Sequence, residues 1–234
     1  VNEQHRKWYS PNLGAEIDLL IFGHAGIPVV LFPTSMGRYY ESKDFGLTAA
    51  ASWLINEGKV RIYCPDSVDA NSFYNHSLPP EQRIIHHISY DRFVLNELVP
   101  LVQHETGFTK IVMAGCSFGG YHAANFTFRH PWLASHLFSM SGVFDIRDQL
   151  DGFYNDNVYF NNPMDFVPND QNPELWNLRV VLGTSDRDIC RWQNENFSKI
   201  LSAKGIGHWL DVRPDADHDW PLWRAMFPDY LSQL

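Results

Sequence analysis

Residues 111–120 read IVMAGCSFGG, and this decapeptide constrains the chain more than any other stretch. Four apolar residues, Ile111 to Ala114, run as a buried strand would. They lead into Gly115-Cys116-Ser117-Phe118-Gly119, and Gly120 to Phe128 then reads as a helix. A strand, a sharp turn with serine at its tip and a helix behind it form a strained elbow that lifts the hydroxyl above a sheet. The glycines keep Cβ atoms out of a place where strand and helix nearly touch.

The rest of the chain supplies the sheet. Residues 4–10 and 16–22 read as two antiparallel strands, turned by Pro11-Asn12-Leu13-Gly14. Ile27–Phe32 and Val60–Cys64 are short apolar runs of the buried-strand kind, with helical spacing at Leu47, Ala50, Ala51 and Leu54 between them. A long helix is expected over 81–105, bent at Pro100 and ended by Gly107. Further strands are expected near Leu137–Met140, Arg179–Leu182 and Trp209–Val212. Gly205 closes a helix that carries Phe197, Ile200 and Leu201, and a last helix begins near Pro221. Alternation of strand and helix after residue 27 implies one domain over 1–234. Its core is an eight-stranded, mostly parallel sheet covered on both faces, with ligands at the carboxyl ends of the strands. Residues 145–177, rich in Asn, Asp, Pro and aromatics, break the alternation. They are expected either to cover a pocket through Tyr159 or Phe160 or to pack against the sheet edge.

A serine hydroxyl is a poor nucleophile until a histidine takes its proton and a carboxylate orients that histidine. On a strand-elbow-helix scaffold the order is serine, acid, histidine. Asp186, in the Gly183-Thr184-Ser185-Asp186 run after a strand, is the expected acid, and Asp188 is the alternative. His218, in Asp217-His218-Asp219-Trp220 between the last strand and the last helix, is the expected base. His122, His130 and His136 lie too near the elbow, His86 and His87 sit on the long helix, and His208 precedes a strand. Two backbone N–H groups must face the developing oxyanion. One is expected from Phe118, and the other from the loop Pro33-Thr34-Ser35-Met36-Gly37, at Ser35 with Met36 next.

The segments GCSFGGYHAA, GTSD and HDWPLWR resemble the lidless serine esterases of the α/β-hydrolase fold. The nearest branch is the esterase D type, which includes S-formylglutathione hydrolases, feruloyl and acetyl-xylan esterases, enterochelin esterases and mycolyltransferases. The resemblance runs from residue 8 to 231. It implies Ser117 as nucleophile, Asp186 as acid, His218 as base, and carboxylic esters as substrates. Two positions depart from that pattern: Pro33-Thr34 stands where many members carry His-Gly, and Cys116 stands where His is frequent.

Composition narrows the partners. Eighteen basic against 27 acidic residues give a net charge of −9, which disfavours nucleic acid and anionic membranes. No run reaches the ~18 apolar residues of a membrane span. Three scattered cysteines without a C-x-x-C suit free thiols in the cytoplasm rather than a metal site. The opening VNEQHRKWYS has no apolar stretch of the signal-peptide kind, and a start at Val1 leaves removal of an upstream segment open. The expectation is a serine ester hydrolase with no metal or organic cofactor, acting on short or medium acyl esters or carbohydrate-linked esters. An acyltransferase on the same triad and a non-catalytic binding module are the alternatives, and an exposed aromatic loop would allow a homodimer.

Overall fold

A computed structural model describes residues 2–234, and Val1 lies outside it. Strand-forming runs pair into one eight-stranded sheet. The strands are β1 (Glu3–Ser10), β2 (Ala15–Phe22), β3 (Ile27–Phe32), β4 (Val60–Pro65), β5 (Ile111–Cys116), β6 (Ala134–Met140), β7 (Arg179–Ser185) and β8 (His208–Arg213). Their order is β1-β2-β4-β3-β5-β6-β7-β8. The pairs β1/β2 and β2/β4 are antiparallel, and all others are parallel. This is the expected α/β-hydrolase architecture.

Side chains alternate between two buried layers with the two-residue period of a strand. Val30, Phe32, Met113, Leu137 and Leu182 pack on one face with Tyr90, Phe93, Phe197 and Leu201. Val29, Leu31, Val112, Ala114, Phe138 and Met140 pack on the other with Leu54, Ile55, Trp223, Met226 and Phe227. The first face is covered by the helices Pro80–Phe93, Phe118–Arg129 and Arg191–Lys204, and the second by short helices over 41–56 and by Trp220–Leu231.

Local chemistry shapes the helices. The stretch around 47–54 is not one helix but a series, Glu41–Asp44, Leu47–Ala50 and Ser52–Asn56. Gly46 at φ 76° separates the first two. The long helix divides into Pro80–Phe93 and Val99–Thr106 around a π-turn at Val94–Leu98. Pro100 offers no N–H and its ring needs room from the preceding turn, which a widened π-turn provides. Gly107 closes the helix at φ 75°, as its place in the sequence suggests.

Residues 145–177 fold as a chain of short helical turns. Leu150 and Val158 pack with Phe73, Phe118 and Tyr121. Tyr159, Phe160 and Phe166 line a groove beside Arg129, at the far end of the elbow helix. Eleven residues of helix rise separate Phe118 from Arg129, roughly 16 Å. These aromatics therefore pack on the flank and do not stand over Ser117.

Candidate active site

β5 lies between β3 and β6 near the middle of the sheet, so the turn after it emerges among the carboxyl ends of parallel neighbours. Ser117 takes φ 54°, ψ −123° at the turn into the elbow helix. Its N–H donates to the Met140 carbonyl at 2.8 Å, and its carbonyl accepts from Gly120 N–H at 2.9 Å. A Cβ at Gly115 would overlap the Gly119 carbonyl, and one at Gly119 would lie 2.5 Å from the Phe32 and Pro33 carbonyls. Those two glycines let strand, helix and the loop after β3 meet around the serine. Cys116 is buried, and burial pushes its thiol well above the ordinary range, as expected of an inert core thiol.

His218 arrives from the loop between β8 and the last helix. Its Nε2 lies 2.9 Å from Ser117 Oγ, and its Nδ1 lies 2.7 Å from Asp188 Oδ1. An ionised carboxylate only accepts, so Nδ1 carries the proton and Nε2 is free to accept from the serine hydroxyl. Trp223 meets the imidazole edge-on, with ring centroids 5.2 Å apart and planes at 87°.

The acid that meets His218 is Asp188, which corrects the expectation of Asp186. β7 runs three residues beyond its apolar stretch: Gly183 still pairs with Met140, and Thr184 and Ser185 with Val212 and Arg213. The turn falls at Ser185–Asp188, where Asp188 N–H reaches back to the Ser185 carbonyl. Asp186 sits exposed at the start of this turn, its carboxyl held below the usual range by the Asp215 and Ala216 N–H groups. Asp188 points inward, with its side chain fully buried. Thr184 Oγ1 donates to its Oδ2 at 3.0 Å, and Cys190 N–H to its Oδ1 at 2.8 Å. Burial pushes the Asp188 carboxyl up, but hydrogen bonds from His218, Ser141 and Cys190 outweigh it and hold the group below the usual carboxylate range. Ser141 in turn accepts from Trp223 Nε1–H at 2.9 Å. Neither Ser141 nor Thr184 stands out in the sequence; only the parallel register of β6 and β7 brings them together.

The loop after β3 is held from its outer side. Glu41 accepts from Thr34 N–H at 2.8 Å and from its hydroxyl at 2.6 Å. Asp69 accepts from Met36 N–H at 3.3 Å, and Tyr74 donates to Ser35 Oγ at 2.9 Å. Met36 itself has φ 54°. Among the described residues, the N–H groups of Ser35 and Phe118 have no hydrogen-bond partner in the protein. The stretch 66–74 backs this loop with buried Asp66, Asp69, Ser72 and Phe73.

Among the described residues no other histidine is hydrogen-bonded to Ser117 Oγ. His122 faces inward to Asp69, His130 pairs with Asp91, and His208 pairs with Ser198. Cys190, which sequence reasoning passed over, has its donor atom within 4.8 Å of those of Asp188 and His218. Burial, with the Asp188 charge, pushes its thiol up to about 12. It therefore stays protonated beside a carboxylate and an imidazole already bonded to each other.

The chain matches the family described as Putative esterase over residues 23–234. No curated protein matches it. Among solved structures it is similar to a ferulic acid esterase, at TM-score 0.80 and 17% identity, covering 99% of this chain and 98% of that one. It is also similar to an S-formylglutathione hydrolase from Agrobacterium tumefaciens, at TM-score 0.78 and 15% identity, over 99% and 93% of the two chains. A fluorophosphonate-binding serine hydrolase from Staphylococcus aureus has the same fold at TM-score 0.72 and 16% identity, over 99% and 97%. No helix among the described residues is long and apolar enough to cross a membrane. The chain belongs to the Esterase family, described as Putative esterase, and has the α/β-hydrolase fold of these structures.

Proposed function

We propose that this esterase works through an acyl-enzyme formed on Ser117, with His218 as base and Asp188 as the acid. The observation that carries the reading is the unbroken hydrogen-bonded line from Ser117 Oγ through both nitrogens of His218 to a buried carboxylate. His218 Nε2 takes the serine proton as Oγ attacks the ester carbonyl. The carbonyl π-pair moves onto oxygen, facing the N–H groups of Phe118 and Ser35. When the tetrahedral species collapses, the carbon–oxygen bond to the alcohol breaks and His218 returns the proton to the departing oxygen. Water then repeats the sequence on the acyl-serine and releases the carboxylic acid. Asp188 stays ionised throughout and steadies the imidazolium.

Short or medium neutral acyl esters suit the site. Met36, one residue after Ser35, and Ile189, one residue after Asp188, are exposed apolar side chains on the two loops that bear the proposed oxyanion donor and acid. Similar structures named as ferulic acid esterases support aromatic acyl esters beside the carbohydrate-linked esters expected from the sequence. Three free, buried cysteines agree with a cytoplasmic setting.

The test is hydrolysis of p-nitrophenyl acetate, butyrate and octanoate beside Ser117→Ala. Loss of several orders of magnitude in the variant, with a fluorophosphonate attaching to Ser117 of the wild type, is the expected result. A folded wild type that neither turns over these esters nor accepts the label would sink the reading.

A further inference from the structure

Asp69 is fully buried, in the short turn that follows β4. One carboxylate oxygen accepts from Met36 N–H, in the loop after β3. The other meets His122 Nε2 at 2.8 Å. His122 is also buried, one turn into the elbow helix, with its ring against Phe118 at 5.2 Å. A single carboxylate thus joins the loop that carries Ser35 to the helix whose first N–H belongs to Phe118. The reacting groups lie elsewhere, on Ser117, His218 and Asp188, so this pair has no part in moving the proton.

We propose that Asp69 and His122 are positioning residues that set the spacing of the two oxyanion donors and decide which loop N–H faces the substrate. This rests on the acyl-enzyme reading of Ser117. Two consecutive N–H groups, those of Ser35 and Met36, compete for the inward position. Asp69 captures the second from behind and holds Met36 at φ 54°, which leaves the first free. Without the tether the Ser35–Met36 stretch can rotate, and the donor pair loses its fixed separation. His122 keeps Asp69 from turning away and anchors it to the same helix that presents Phe118.

The experiment compares Asp69→Asn, Asp69→Ala and the double variant Asp69→Leu/His122→Leu with wild type and Ser117→Ala on p-nitrophenyl butyrate. The asparagine keeps a carbonyl oxygen for Met36 N–H and should retain most of the activity. The alanine and the double variant should lose kcat by about 10- to 100-fold at nearly constant KM, part of what a missing oxyanion donor costs. Their affinity for a trifluoromethyl ketone should fall in parallel, while inhibition by butyrate stays level. The double variant removes the buried carboxylate and its imidazole partner together and leaves only Met36 N–H without its acceptor, which guards against a variant that merely unfolds. Folded double variant with wild-type kcat and ketone affinity would overturn the proposal, as would equal loss in KM and kcat. Inactive wild type would instead overturn the acyl-enzyme reading on which it rests.

Discussion

Two loops at the carboxyl end of the sheet are built with opposite polarity. The loop after β3 is braced by carboxylates behind it: Glu41 takes both donors of Thr34, and Asp69 takes Met36 N–H. Its Ser35 N–H has no partner among the described residues. The loop after β7 carries a carboxylate of its own, and donors surround that group: the Thr184 hydroxyl, the Cys190 N–H, Ser141 and His218. The difference reflects when negative charge is present. On the proposed mechanism, charge on Asp188 is permanent, so its acceptors are saturated in the resting protein, whereas charge at the oxyanion is transient, so its donors must be fixed in place and kept free of internal partners.

The comparison can be broken most sharply at Asp188. Asp188→Asn should lower kcat about 10,000-fold through the wrong imidazole tautomer, as for other triads of this type. Asp186→Asn should leave turnover at the wild-type level. Reversal of the two results in steady-state assays would return the acid role to Asp186. On the β3 side, Glu41→Ala strips the acceptor from two Thr34 donors and should cost about 1–3 kcal/mol of stability. Urea unfolding checks this, and an unchanged midpoint would mean that the loop does not depend on its brace. A smaller effect is expected for Thr184→Val, which removes one of several donors to Asp188. About 1 kcal/mol, or roughly a five-fold drop in kcat/KM, should result. A loss as large as that of Asp188→Asn would show that the donors are not shared as described.

The smallest expected effect lies away from both loops and serves as a contrast. Burial, with Arg179 nearby, lowers the His136 imidazole to about 4. Unfolded, the same group protonates near 6.5, so the unfolded chain binds the extra proton between these values. His136 therefore lowers stability as pH falls from about 6.5 toward 4, and adds no further loss below that. His136→Gln should flatten this part of the stability curve without altering activity at neutral pH. An unchanged slope in urea titrations across that window would remove His136 from the account.

Much of this was legible in the sequence wherever a short apolar run had the right punctuation. The elbow, β3, β5 and the last helix belong to this group, and so do Ser117 and His218, each set by its neighbours in the chain. Asp188 was harder. Gly183, Thr184 and Ser185 look like the start of a loop, yet they remain paired to β6 or β8 and move the turn by three residues. Strand length is decided by partners across the sheet, and a single segment does not display them. Residues 145–177 left two readings open for a related reason. Their aromatics signal order but not which neighbour they find, and Tyr159 and Phe160 found the flank near Arg129. Asp69 and His122 are 53 residues apart and meet only once β4 and the elbow helix are in place.

Among the described residues, five non-glycine residues hold positive φ: Met36, Ser117, Ser141, Asp151 and Asp215. Three of them have already appeared as the proposed nucleophile, a residue of the proposed oxyanion loop and a partner of Asp188. Left-handed backbone at a residue with a Cβ costs of order 1–3 kcal/mol per position. Three such positions gather at the carboxyl end of the sheet around Ser117, and the layered core beneath has to hold them there. On the proposed mechanism, glycine at position 117 would abolish chemistry while releasing that tension. Ser117→Gly should melt a few degrees above Ser117→Ala, since about 2–4 °C accompanies each kcal/mol in a domain of this size. A chain freed of the need to hydrolyse esters would therefore have one route to heat resistance at the proposed nucleophile itself.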